Sequence, residues 1–298
     1  MISSRSTSIA VSRGLSTRSR VRAGARASKL AAAAETPTLQ LALDFDGVLC
    51  DSVGESSETG WKCALSLWPD IFGPAESERE RVIEEMRLVR PVVETGYENL
   101  LLVRVLLERS HTVEELLADW PGILPQCMEK WGLERAPMVE FFGRVRDEWI
   151  ESDLQGWLAP NRFYDGIPSA LNTALDSPST DVQIVTTKQA RFTYQLLSDM
   201  AGVPVPMERI FSTTVSGEPK TVVLRQLLAA APDEGVRRVF VEDKISTLEK
   251  VCGEPDLADW ELLLVDWGYN TPAERARAEA NPRISVVSLD YFNALLAS

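Results

Sequence analysis

The sequence predicts an α/β protein with a parallel sheet, helices on both faces of that sheet, and an all-helical insertion after the first strand. Two observations lead to this fold class. From about residue 160 onward, short apolar runs alternate with amphipathic stretches, the pattern of parallel strands joined by helices. Between residues 55 and 160, in contrast, apolar residues recur at helical spacing and no segment has the pattern of a strand. The chain has 298 residues, 45% of them hydrophobic, which is enough for one large domain and a smaller one.

The first predicted strand is the apolar run from Leu39 to Leu43, which leads directly into Asp44 and Asp46. Side chains alternate along a strand, so these two carboxylates project on the same side at its carboxyl end. Two like charges this close together require a cation, and hard oxygen ligands suit Mg²⁺. Gly47 follows and allows the chain to turn sharply above the site.

The insertion is predicted to contain helices over 77–90, 97–108, 111–120 and 138–151, with Pro160 near its end. The elements expected after it are a helix at 169–175, a strand at 182–186, a helix at 189–200, a short strand near Ile210, a helix at 220–230, a strand at 238–242, a helix at 245–252, and strands at 261–265 and 284–287. Ligands of such sheets bind at the carboxyl ends of the strands.

Polar residues stand at those ends. Thr186, Thr187 and Lys188 follow one strand, and Glu242 and Asp243 follow another. A lysine, residue 220, opens the predicted helix between them.

In this order, the motifs resemble those of the haloacid dehalogenase-like (HAD) superfamily of phosphohydrolases, which have a Rossmann-like core. The segment VDWGYNT at 265–271 also resembles phosphoglycolate-phosphatase-like members, of a plant and algal plastid type. The resemblance implies that Asp44 attacks phosphorus to form an aspartyl-phosphate. It implies that Asp46 is the general acid for the leaving alcohol and then the base for water. Because the superfamily's dehalogenases lack the second Asp of this motif, Asp46 favours phosphoryl chemistry.

By the same resemblance, Thr186 would hydrogen-bond the transferred phosphoryl group, and Lys220 would neutralise charge on the nucleophile and on the phosphoryl oxygens. The metal site would be formed by Asp44, Asp46 and Asp243.

The fourth motif departs from the pattern of many superfamily members, which carry a second Asp four or five residues after the first. Thr247 and Leu248 occupy those positions here. The remaining place at Mg²⁺ would be filled by Glu242 or by water.

The resemblance also implies the domain organisation. The α/β core would comprise 37–54 and 161–298, and 55–160 would form a helical cap that closes over the site and selects the substrate. We expect Arg90 of the cap, together with Thr187 and Lys188 beside the second motif, to contact that substrate. A small phosphorylated metabolite is the expected class, and phosphoglycolate is one candidate among several sugar or nucleoside monophosphates.

Residues 1–34 carry seven basic residues and no acidic one, and many are Ser or Thr, which is the composition of an organelle transit peptide. The sequence around Val21, Arg22 and Ala23 favours the chloroplast stroma, with the mitochondrion as second choice. A basic arm for nucleic acid is the competing interpretation, but no aromatic residues are interleaved with the arginines. Without the segment, 24 basic residues stand against 44 acidic ones, a formal charge of −20. Such a surface repels nucleic acid and anionic membranes, so we expect neither as a partner.

The sequence therefore predicts a Mg²⁺-dependent phosphatase. A sugar-phosphate mutase of the same superfamily and a non-catalytic binding protein with this fold stay open as alternatives. A histidine-based triad is excluded, because His111 is the only histidine and lies far from the motifs. Oligomeric state and redox control are not indicated by the sequence.

Overall fold

The computed structural model describes residues 37–214, 217–231 and 235–298. The transit peptide predicted for residues 1–34 lies outside the described residues.

The described chain forms a six-stranded parallel sheet and a separate two-stranded pair. The strands are β1 (Leu39–Leu43), β2 (Cys50–Asp51), β3 (Arg162–Phe163), β4 (Thr180–Thr186), β5 (Ile210–Ser212), β6 (Arg237–Glu242), β7 (Trp260–Val265) and β8 (Ile284–Val287). The order in the large sheet is β5-β4-β1-β6-β7-β8, whereas β2 and β3 pair in antiparallel fashion. All five residues of β1 are buried, as expected for a central strand that is covered on both faces.

Twelve α-helices connect and cover these strands in the described part of the chain. They are α1 (Val53–Leu67), α2 (Pro69–Phe72), α3 (Arg79–Val89), α4 (Glu98–Glu108), α5 (Val113–Lys130), α6 (Arg135–Leu158), α7 (Ile167–Asp176), α8 (Ala190–Gln195), α9 (Lys220–Ala230), α10 (Ile245–Cys252), α11 (Pro272–Glu279) and α12 (Leu289–Leu296). Two hydrophobic clusters involve residues of the large sheet. The fold class predicted from the sequence, a parallel α/β sheet with a helical insertion, is confirmed.

The insertion between β2 and β3 has a hydrophobic core of its own. Helices α1 to α6 contribute to a buried cluster that runs from Trp61 to Val145 in sequence. Helix α1 contacts α3, α4 and α6 and so joins the helices of this cap. Among the described residues, none of the helices has the length and apolar character needed to cross a lipid bilayer.

Candidate active site

The sequence motifs meet at the carboxyl edge of the sheet because their strands are neighbours. β1 lies between β4 and β6, and Leu43 at its end pairs with Ile184 and Val241. Asp44 therefore emerges beside Thr186, the last residue of β4, and beside Glu242, the last residue of β6. Thr186, Glu242 and Asp44 are all buried.

Three buried carboxylates form a cluster at this edge. Asp44, Glu242 and Asp243 each place an oxygen within 4.8 Å of the others. Lys220, the first residue of α9, is the cation beside them: its Nζ lies 2.8 Å from Asp44 Oδ1 and 2.9 Å from Glu242 Oε1. Burial alone would lower the pKa of Lys220, but attraction to these two carboxylates outweighs burial and the pKa is raised.

The cluster holds more negative charge than Lys220 offsets. Burial raises the pKa of Asp44 to about 7, although Lys220 acts against this rise. Burial, followed by repulsion from Glu242, holds the pKa of Asp243 well above its usual value. A divalent cation bound by Asp44 and Asp243 would favour the ionised form of both carboxylates.

The donor set fits Mg²⁺. All three candidate ligands are hard carboxylate oxygens. Asp243 is fixed in place because its Oδ2 accepts a hydrogen bond of 2.8 Å from the Tyr269 N–H. The oxygens of Glu242 already accept hydrogen bonds from Lys220 Nζ and from the backbone N–H of Asp243, so Asp44 and Asp243 have the freer oxygens. The backbone of Gly47 passes so close to Asp243 that any side chain at residue 47 would overlap its carboxylate.

Asp46 lies apart from this cluster. Its Oδ1 accepts hydrogen bonds from Ser52 Oγ at 2.5 Å and from Lys188 Nζ at 3.2 Å. Burial acts to raise the pKa of Asp46, but the charges of Lys188 and Arg90 outweigh burial and lower it. In the part of the chain described, the metal-competent group includes Asp44, Glu242 and Asp243 and does not include Asp46.

Thr186, which ends β4, and Thr187, which follows it, face different partners. Thr186 Oγ1 accepts a hydrogen bond of 3.0 Å from the Lys188 N–H, which shapes the turn that brings Lys188 to Asp46. Thr187 Oγ1 donates a hydrogen bond of 3.0 Å to the backbone carbonyl of Glu94 in the cap. Thr187 thus ties the core to the cap segment that follows Arg90.

Arg90 follows α3 and reaches from the cap into the site. Its guanidinium carbon lies 3.9 Å from the centre of the Tyr269 ring. Tyr269 in turn contacts the point where the chain enters the cap: its hydroxyl accepts from the N–H of Ser52 at 2.8 Å and donates to Asp51 Oδ1 at 2.6 Å. Tyr269 was not singled out from the sequence, because nothing in the segment VDWGYNT indicates these distant partners.

A fully buried carboxylate, Glu55, was also missed by the sequence analysis. It accepts a bidentate pair of hydrogen bonds from Arg146 of α6, at 2.7 and 2.8 Å, and one of 3.0 Å from Trp157 Nε1. Lys188 Nζ lies 3.6 Å from its Oε2. Burial would raise the pKa of Glu55, but Arg146 and Lys188 outweigh burial and lower it. In the sequence, Glu55 resembles any acidic residue in the first turn of a helix.

Two small cavities, each of about 30 Å³, lie at this junction of cap and sheet. The first, which we call the nucleophile cavity, is lined by Asp44, Lys220 and the other residues of the carboxylate cluster. The second, which we call the cap cavity, is lined by Lys188, Arg146 and Asn99 among others. Asp46 and Arg90 line both.

No protein-family model matches the chain, and no curated protein matches it. Solved structures do. A predicted phosphoglycolate phosphatase from Haemophilus somnus is 16% identical with a TM-score of 0.51, and the match covers 87% of this chain and 97% of that one. A protein from Lactobacillus delbrueckii subsp. bulgaricus, whose phosphoglycolate phosphatase activity is likewise a prediction, is 12% identical with a TM-score of 0.50 over 88% of this chain and 98% of its own.

The chain has the HAD-like fold. At these identities the likeness to HAD-fold structures shows the fold alone, so the chemistry of this chain has to be inferred from the residues of its own site.

Proposed function

We propose that the protein is a Mg²⁺-dependent phosphohydrolase that acts on a small phosphorylated metabolite through an aspartyl-phosphate. One observation carries the proposal. Asp44 lies at the end of the central strand, in one group of carboxylates with Glu242 and Asp243, and 2.8 Å from Lys220 Nζ. Asp46 lies outside this group and lines the cap cavity. A nucleophile, a cation site and an acid–base group are thus arranged around one small space.

The charges around the two cavities support a dianionic substrate. Five carboxylates meet there, namely Asp44, Asp46, Glu55, Glu242 and Asp243, and five cations, namely Arg90, Arg146, Lys188, Lys220 and Lys244. Glu94 also lines both cavities but is exposed, so solvent screens its charge and it is left out of this count. Since buried charges have to be compensated, this balanced set accepts Mg²⁺ together with a group of charge −2. A phosphomonoester dianion has that charge.

Each step of the proposed reaction is then carried out by a residue of this chain. An oxygen of Asp44 attacks phosphorus, and the bond between phosphorus and the alcohol oxygen breaks as Asp46 gives that oxygen a proton. Water attacks the aspartyl-phosphate while Asp46 takes up its proton, which releases phosphate and restores the Asp44 carboxylate and the protonated Asp46. Lys220 favours the ionised form of Asp44 and offsets charge on the phosphoryl oxygens. Mg²⁺, held by Asp44 and Asp243 with Glu242 in the same group, would supply further charge neutralisation.

The proposed role of Asp46 needs a proton that Lys188 and Arg90 disfavour in the free protein, since they lower its pKa. A bound anionic substrate offsets those cations and favours protonation of Asp46. Lys188 therefore has two expected roles: it orients Asp46 and it contacts the substrate anion. Thr186 is expected to hydrogen-bond the phosphoryl group.

The test is phosphate release from a panel of phosphorylated metabolites, with and without Mg²⁺, for the full chain and for its Asp44→Asn variant. Phosphoglycolate belongs in the panel because both similar structures are named for it. Turnover that requires Mg²⁺ and Asp44 supports the proposal. Turnover that Asp44→Asn retains would rule out the aspartyl-phosphate, and transfer of phosphate to a sugar phosphate instead of water would favour a mutase.

We also propose that the protein works in the plastid, on the basis of the basic, Ser-rich and acid-free residues 1–34. Fusion of this segment to a fluorescent protein tests the proposal. Import into plastids supports the proposal, whereas accumulation in mitochondria would refute it and favour the mitochondrion instead.

A further inference from the structure

The cap cavity contains three polar side chains with a buried hydrogen-bonding atom that has no partner among the described residues, namely Arg90, Asn99 and Thr214. The Thr214 hydroxyl can donate or accept, so it restricts the ligand least. Buried polar atoms are nearly always paired in native proteins, so those left open at a ligand site indicate what the ligand brings. Arg90 Nε and Asn99 Oδ1 are both buried and, within the described residues, have no hydrogen-bond partner. Both residues line the cap cavity.

The other two cations of the cavity are already compensated. Arg146 is held by both oxygens of Glu55. Lys188 Nζ lies 3.2 Å from Asp46 and 3.6 Å from Glu55. Both side chains are therefore already paired with carboxylates of the protein.

Arg90 differs from them. It is 7% exposed and, in the described chain, has no carboxylate within ion-pair distance. Its Nη1 donates a bond of 3.3 Å to the Val93 carbonyl, and its plane lies against the Tyr269 ring. A buried guanidinium with an unused N–H is a site for an anionic acceptor.

Asn99 requires the opposite kind of group. It is 1% exposed, and its Nδ2 donates a bond of 2.7 Å to the Gly96 carbonyl. Because a carbonyl oxygen can only accept, this bond fixes the orientation of the amide and leaves Oδ1 as the open group. The ligand must therefore offer Asn99 a hydrogen-bond donor such as a hydroxyl group.

We propose, building on the phosphohydrolase assigned above, that the substrate is the phosphate ester of a short hydroxy acid that carries a second hydroxyl group. Its carboxylate binds Arg90 and its free hydroxyl donates to Asn99. The cavity is small, about 30 Å³, which favours a short leaving group over a long one. Phosphoglycerate belongs to this class, and its hydrolysis gives glycerate and phosphate.

Four esters separate the two contacts in a kinetic test. Phosphoglycerate has both groups, phosphoglycolate lacks the hydroxyl, glycerol phosphate lacks the carboxylate, and ethyl phosphate lacks both. For the wild-type protein we expect kcat/KM to fall by about fivefold to tenfold without the hydroxyl and by at least about tenfold without the carboxylate, the usual effects of a neutral and a charged hydrogen bond.

Two variants test the assignment of each contact. In Asn99→Leu the preference for phosphoglycerate over phosphoglycolate should disappear, and in Arg90→Met the preference for acids over glycerol phosphate should disappear. Each preference is a ratio measured within one variant, so loss of folded protein cancels. Asn161→Leu is the matched control for Asn99, because Asn161 is also buried with an unpartnered Oδ1 but does not line the cavity. Arg87→Met, on the exposed side of α3, the helix that Arg90 follows, is the control for Arg90.

The inference is overturned if Asn99→Leu keeps the wild-type preference for the hydroxyl. It is also overturned if Arg90→Met slows all four esters equally, because Arg90 would then contact the phosphoryl group. Calorimetric binding of the four esters to the Asp44→Asn protein, with Mg²⁺ present, separates this inference from the proposed function. The predicted order of binding without wild-type turnover would refute the phosphohydrolase and keep the assignment of the cavity. Binding without any order would refute the assignment itself.

Discussion

Replacement of Arg146 by Met would remove the bidentate partner of Glu55 inside the protein and leave Lys188, at 3.6 Å, as its nearest cation. Glu55 is completely buried, and Arg146 supplies two of its hydrogen bonds, at 2.7 and 2.8 Å. Met keeps much of the apolar contact that Arg146 makes with Phe142 and Phe192, whose ring centres lie 4.6 and 5.4 Å from its guanidinium. The change therefore removes mainly the charge. Breaking a buried ion pair from one side costs about 3–5 kcal/mol of unfolding free energy.

The chain offers a matched control in a second ion pair of α6. Arg191 and Asp147 also join α8 of the core to α6 of the cap with two hydrogen bonds, at 2.7 and 2.9 Å. Their side chains, however, are 49% and 42% exposed. Exposed pairs contribute about 0–1 kcal/mol, so Arg191→Met should have a much smaller effect than Arg146→Met.

Urea unfolding at equilibrium, with the slope of the transition compared among variants, measures both costs. The double variant Glu55→Gln/Arg146→Met should recover at least about 2 kcal/mol of the loss, because no unpaired charge is then buried. Equal costs for Arg146→Met and Arg191→Met would refute the reasoning, since burial would then have no influence. A double variant that is less stable than Arg146→Met would show that Glu55 is stabilised by its remaining donors alone.

Three further predictions concern the carboxylate cluster. Gly47→Ala should lower the free energy of unfolding by about 1–2 kcal/mol, because φ at residue 47 is +85°. It should also abolish Mg²⁺-dependent turnover, because the added methyl group would displace Asp243. Gly73→Ala, which has open space around it, should change neither stability nor turnover. An active Gly47→Ala protein would contradict this. Lys220→Met should lower kcat on the order of 100-fold, because Asp44 loses its cation. A larger effect on KM than on kcat would count against this role. Mg²⁺ affinity should weaken as pH falls below about 7, because Asp44 must lose its proton to bind the ion. Calorimetry in buffers of different ionisation enthalpy should show more proton release at about pH 6 than at about pH 9, and equal release would disprove the coupling.

Local sequence signals predicted the elements that carry the motifs. Helix α9 begins at Lys220 as predicted, because Pro219 cannot continue a helix backward and the residues after it are amphipathic. Helix α10 and strand β8 also have the predicted bounds. In these places the local preference and the tertiary structure agree.

Other elements depend on contacts that a single sequence does not reveal. Helix α1 is rich in Ser, Thr and Gly, so its intrinsic preference is weak, and packing against α4 stabilises it. The helix predicted over 111–120 is part of α5, which extends to Lys130. Asp119 leaves the helical conformation, and Pro121 then begins a new helical turn that continues the element. The candidate site shows the same difference. Asp44 and Asp46 are close together in the sequence and could be predicted, whereas Glu55 and Arg146 are 91 positions apart and meet only in the folded protein.

The two aspartates of the first motif have opposite environments, and those environments bear on when the site can act. Without ligands, burial raises the pKa of Asp44 to about 7, while Lys188 and Arg90 outweigh burial and lower the pKa of Asp46. The proposed reaction needs the reverse, an ionised Asp44 and a protonated Asp46. A divalent cation beside Asp44 favours its ionised form, and the anionic groups of the substrate beside Lys188 and Arg90 favour protonation of Asp46. Each ligand thus brings one of the two aspartates to the protonation state that the reaction needs. The proposed chemistry therefore starts only when the cation and the phosphate ester are bound together.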